Sequence, residues 1–79
     1  MAVVPQFYFD ITARGVTLAD DEGLDLSSRR AARSEAMTSA AEMAREDEAC
    51  PKDIVILVRD QERQPVLTVR LSLMCEEAA

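Results

Sequence analysis

The residues Ile54-Val55-Ile56-Leu57-Val58 form an unbroken apolar run flanked by Asp53 and Arg59. Such a run of β-branched and Leu residues predicts a strand over about 53–60 that is buried on both faces and central in its sheet, since an edge or half-exposed strand alternates with polar residues instead. A central strand needs neighbours on both sides. In a chain of 79 residues they must come from the few segments that remain.

Two of those segments are readable. Residues 3–12 alternate, with Phe7, Phe9 and Ile11 on one face and Tyr8, Asp10 and Thr12 on the other, and Pro5 confines the start to an edge or a bulge. Ala13-Arg14-Gly15 supplies a tight connection with Gly available for positive φ, so 16–19 returns as a short second strand. Residues 66–73 alternate again, Leu67, Val69, Leu71 and Leu73 against Val66, Thr68, Arg70 and Ser72, after a polar turn at Asp60–Gln64. Between the pairs, from about 28 to 49, strong helix formers predominate. Ala32, Ala36, Ala40 and Met43 fall on one stripe, flanked by Met37 and Ala44. Ser27 or Ser28 can cap its start, and Pro51 marks its end, with Cys50 pushed out of helical geometry.

The expected architecture is a single α+β domain over 1–79, two layers in the order ββαββ. It has a mostly antiparallel four-stranded sheet and one helix on one face. One helix leaves the other face open. Tyr8, Asp10, Val55, Leu57, Thr68 and Arg70 are the expected interaction surface there; the alternative is that the helix covers Val55 and Leu57 and leaves Ile54, Ile56 and Val58 open. A domain this small buries a modest core, which favours a homodimer or small homo-oligomer.

Charge and composition exclude several functions. The net charge of −6 has the wrong sign for a phosphate-backbone binder, so no nucleic-acid partner is expected. No stretch suits a signal peptide or a membrane span, which predicts a cytoplasmic protein with no membrane partner. With no His in the chain, neither Cys in an activating context and no phosphate-cradling Gly loop, the residues predict no enzyme and no cofactor. Cys50 and Cys75 read as reduced structural thiols; a disulfide would require the helix end and the last strand end to meet. Asp10 and Arg70 can share the open face, where a cross-strand ion pair is the expected outcome.

The acidic turn Asp20-Asp21-Glu22-Gly23 is the one candidate metal site. Its three adjacent carboxylates lack the alternating spacing of a calcium loop, so the segment reads first as a polar turn leading to a helix start, and only second as a weak divalent-cation site. Together with Arg29, Arg30 and Arg33, which stand where free backbone N–H groups favour anions, it supports an alternative reading as a ligand or metal sensor. A further alternative is an accessory regulator that adds a sheet edge to another protein. The leading expectation is a non-catalytic binding or oligomerisation module.

The chain resembles an uncharacterised family of short proteobacterial proteins, a domain of unknown function. The resemblance lies in Phe7-Tyr8-Phe9, Asp21-Glu22-Gly23 followed by Leu26, Ala31-Ala32-Arg33-Ser34-Glu35-Ala36, and the hairpin around Val58-Arg59-Asp60. It implies a compact α/β domain and carries no activity. Two positions depart from the family pattern: Asp10 stands where that pattern often has His, and Gln61-Glu62-Arg63 where it often has Gly.

Overall fold

The computed structural model describes residues 4–46 and 48–78. Its elements are β1 (Gln6–Ala13), β2 (Val16–Leu18), β3 (Leu24–Asp25), α1 (Arg29–Glu46), β4 (Lys52–Arg59) and β5 (Pro65–Leu73). The sheet runs β2-β1-β4-β5, antiparallel at every pairing, with β3 joining the same edge of β1 that β2 uses. The α+β class and the single helix are as expected, and β3 is a fifth strand beyond the expected four.

The apolar run does become a central strand, and the helix decides which of its faces is the core. Ile54, Ile56 and Val58 are buried with Phe7 beneath Ala32, Ala36 and Ala40. The small alanine side chains let α1 lie close on the sheet. Val55 and Leu57 point to the other face and are half-buried, so the strand is sealed on one side only and the expectation of burial on both is corrected. Phe9 and Ile11 pack on the core and their neighbours Tyr8, Asp10 and Thr12 face away, as the alternation of β1 requires.

Local chemistry sets the element ends. At the first turn Arg14 and Gly15 take φ of 54° and 75°, the paired left-handed geometry that joins β1 to β2 in two residues. Ser28 is the helix cap: its Oγ accepts the Ala31 N–H at 3.1 Å. The helix stops at Glu46, short of the expected residue 49, and Lys52 Nζ donates to the Ala44 carbonyl at 2.8 Å, satisfying one of the carbonyls a helix end leaves open. Met37, expected at the flank of the core stripe, is 51% exposed. A register shift at Val58/Arg59 inserts an extra residue into β5, and Val66, expected on the open face, instead packs against the core beside Leu67.

The cysteines meet. Cys50 and Cys75 form a disulfide with their Cα atoms 6.0 Å apart, which corrects the reading of two reduced thiols. It also ties down a C-terminal segment that the residues alone suggest is a frayed tail. Such bonds persist mainly in oxidising compartments, which weighs against the cytoplasmic expectation.

Candidate functional site

The face of the sheet turned away from α1 is the expected interaction surface, and the structure divides it into three parts. At one end it is covered by the chain itself. Tyr8 projects onto this face but is only 8% exposed, because two turns close over its ring. Gly23 lies against one side: a Cβ built at Gly23 would stand 3.0 Å from Tyr8 Cε1, and its φ of +77° is one that other residues rarely adopt. Arg63, from the β4–β5 turn, places its guanidinium 4.2 Å from the ring centroid, within cation–π range. Arg63 has a φ of 67°, a conformation Gly holds at less cost, at one of the positions where the resemblance anticipates Gly.

Two aspartates organise these turns. Asp60 Oδ1 accepts the N–H groups of Glu62 and Gln64 at 2.9 and 3.0 Å. Asp20 does more. Its Oδ1 accepts the N–H groups of Glu22 and Gly23, both at 3.0 Å, which shapes the acidic turn. Its Oδ2 accepts the N–H of Phe9 at 3.0 Å. Phe9 lies in the gap on the edge of β1 between β3, which pairs with Gln6 and Phe7, and β2, which pairs with Ile11 to Ala13. The carboxylate therefore stands in for the missing strand and splices two short strands onto one edge.

Burial acts to raise the pKa of Asp20, but the N–H donors of Gly23, Phe9 and Glu22 and the charge of Arg59 hold it below the ordinary aspartate value.

Asp10 ties this turn to the sheet. Its Oδ1 accepts the Asp20 N–H at 2.9 Å and Arg59 Nη2 at 3.0 Å. Arg59 Nε stands 2.9 Å from Asp10 Oδ2, close enough for ion pairing though off the line of a hydrogen bond. The Asp10 and Arg59 side chains are only 14% and 20% exposed. The expected Asp10–Arg70 pair does not form: each of the two residues finds a nearer partner, Asp10 in Arg59 and Arg70 in Asp53.

The other end of the face is polar and exposed. Arg70 Nε and Nη2 donate to Asp53 Oδ1 and Oδ2 at 3.1 and 2.9 Å, and Ser72 Oγ donates to Asp53 Oδ1 at 2.8 Å. The hydrogen bonds from Arg70 and then Ser72 hold the Asp53 carboxyl below its ordinary value. Thr12 and Thr17 share a hydrogen bond across β1 and β2 at 2.7 Å. Beside this end a notch of about 630 Å³ is lined by Gly15, Met43, Pro51, Lys52, Ile54 and Arg70, but Lys52 and Arg70 already hold Ala44 and Asp53.

The middle is what remains: Val55 and Leu57, half-buried, with Thr68 exposed beside them. Of the expected surface residues, Val55, Leu57, Thr68 and Arg70 lie on the open face, while Tyr8 and Asp10 are built into the clamp at its end. Of the candidate metal residues, Asp20 directs both oxygens at backbone donors, and Asp21 and Glu22 are exposed. Among the described residues no three His, Cys, Asp or Glu side chains gather in a metal-holding group. Sequence reasoning missed Arg59, Arg63 and the splicing role of Asp20. An Asp three residues before a Gly is the pattern of an Asx turn and was the available sign for part of that role.

Residues 6–72 match the family described as Domain of unknown function (DUF6894). The chain belongs to that family. Neither the curated proteins nor the solved structures give a match. The match spans β1 through most of β5, so the Tyr8 clamp lies wholly within the family's domain, whereas Cys75 falls just outside it. No helix of the described residues is long and apolar enough to cross a membrane.

Proposed function

We propose that this protein is a small non-catalytic association module that binds through its sheet, with a second copy of itself as the first partner. The supporting observation is the incomplete cover of the sheet. One helix seals one face, and the strand order leaves β5 as an outer strand of nine residues that no other described strand pairs along its far side. A domain of this size has little core to spare, and completing its sheet against a partner adds both burial and backbone hydrogen bonds. The polar groups of the open face support a binding role over a catalytic one. Asp10 pairs with Arg59 and Asp53 with Arg70, so these four side chains serve first to hold the face together.

The direct test is the mass of the purified chain by sedimentation velocity across a micromolar concentration series. The reading predicts a species heavier than the 8.7 kDa chain that dissociates on dilution. A monomer at every concentration would overturn it.

A further inference from the structure

The sheet ends in two unequal edges. The β2 side is blunted by its brevity, three residues, and by the Asp20 carboxylate that follows. The β5 side carries nine residues, and its defences sit at one end: Pro65 at the first position and the extra residue at Val66. From Leu67 to Leu73 there is no Pro, no Lys and no acid. Arg70 is the one charged side chain in β5, in a chain whose net charge is −6. Acidic repulsion between two copies is therefore weaker along this strand than elsewhere on the molecule. The Cys50–Cys75 disulfide fixes the end of the strand beside the start of β4, so little ordering remains to be done when the edge is used.

We infer that two copies of the chain pair antiparallel along β5 about a two-fold axis at Val69, an inference that rests on the self-association reading above. An axis of this kind stands perpendicular to the sheet, keeps both helices on one side and must fall midway between a residue and its own equivalent in the second copy. Arg70 is a poor centre, because it would set two guanidinium groups opposite each other. Thr68 would set the extra residue Val66 opposite Arg70, leaving only 67–69 clear of the irregular start of the strand. Leu71 would run the ladder past the end of the strand. Val69 is the midpoint of β5 and pairs 67–71 clear of Pro65 and Val66. On the helix side it sets Leu67 against Leu71 of the second copy and Val69 against its own equivalent, covering side chains that are half-buried in the single chain. On the open side it sets Thr68 opposite Arg70 of the second copy, twice by symmetry.

That last pairing gives a test in which sign matters. Thr68 is exposed, so its substitution leaves the core intact, which far-UV circular dichroism checks. In Thr68→Lys each dimer gains two like-charge cross-strand pairs, and in Thr68→Glu two opposite-charge pairs. The dimer dissociation constant is expected to rise about 2- to 30-fold in the first and to fall by a similar factor in the second. Net charge alone acts the other way, because Lys lowers the magnitude of the −6 charge and Glu raises it. Measured at low and moderate salt by sedimentation equilibrium, weakening by Lys with tightening by Glu supports the pairing. The reverse order, or equal affinities, overturns it. A mass lowered by Leu57→Glu and lowered alike by Lys and Glu at Thr68, which stands beside Leu57, places association on the open face, where a charge of either sign is buried; that overturns the β5 pairing while leaving self-association standing. A wild-type monomer overturns both.

Discussion

The two ends of the sheet are closed by different means. At the Tyr8 end the cover is non-covalent: two aspartate-organised turns and two arginines converge on one ring, and the pair that anchors them is largely withdrawn from solvent. At the other end the polar pair is open to water and the closure is the Cys50–Cys75 bond. The difference follows from what each end has to work with. The acidic turn and the β4–β5 turn supply Asp, Gly and Arg close together, enough to satisfy local backbone donors. Between α1 and β4 the described residues Glu48, Ala49, Cys50 and Pro51 are all exposed, and a covalent link holds a segment that is not buried.

The comparison is tested most severely by removing the covalent closure. The disulfide spans a sequence separation of 25 residues. A loop of that length constrains the unfolded chain by about 3 kcal/mol. Cys75→Ser is therefore expected to lower the unfolding free energy by that amount, read as a fall in the urea midpoint, and reduction of the wild type with a dithiol to do the same. The helix signal in native buffer should survive. A midpoint unchanged in both would mean that Lys52 and Asp53 hold this end by themselves.

The non-covalent end should show a smaller loss and a signature in acid. Asp20→Asn keeps one acceptor oxygen for Glu22 and Gly23 but turns an amide donor toward the Phe9 N–H, leaving that donor unpaired. The expected cost is about 2 kcal/mol at neutral pH. Since the folded pKa of Asp20 lies below its ordinary value of 3.8, its stabilisation is fully present above that value and is lost as pH falls through the lower folded one. Wild type and variant should thus differ at pH 7 and converge in strong acid. A difference that stays constant with pH would mean that the carboxylate charge is not what splices β2 and β3 to β1.

Much of this molecule is written in local pattern, and its missing parts are the long-range ones. The alternation of β1 and β5, the tight turn at Arg14-Gly15 and the alanine stripe of α1 follow from spacing alone, because each depends on neighbours within a few residues. The two-residue strand β3 is too short to show a period. Its existence depends on Asp20 reaching Phe9, eleven positions away. The same applies to the disulfide, which needs α1 and β5 to end at the same place. It applies also to Tyr8, whose position in an alternating strand predicts exposure. Only the arrival of Gly23 and Arg63 from other turns buries it. The site was therefore legible as a face, while its division into a clamp, a narrow apolar middle and an exposed ion pair was not.

The smallest expected effect separates the two ion pairs that mirror each other across this face. Asp53 and Arg70 are 49% and 66% exposed in their side chains, against 14% and 20% for Asp10 and Arg59. An exposed pair gains little in water, and at a Debye length of about 8 Å salt removes much of that. Asp53→Asn should leave the melting temperature at physiological salt within error of the wild type, with a slight fall at low ionic strength that vanishes as salt is added. The hydrogen bonds that hold the Asp53 carboxyl below its ordinary value predict that even this slight benefit fades in acid, in the same direction as that of Asp20. Salt therefore tells the ends apart where pH does not: the Asp20 effect rests on backbone donors and should persist at high salt. A salt-independent loss in Asp53→Asn would mean that the exposed pair fixes the start of β4 as firmly as Asp10 and Arg59 fix its end, and the contrast between the two closures would then rest on the disulfide alone.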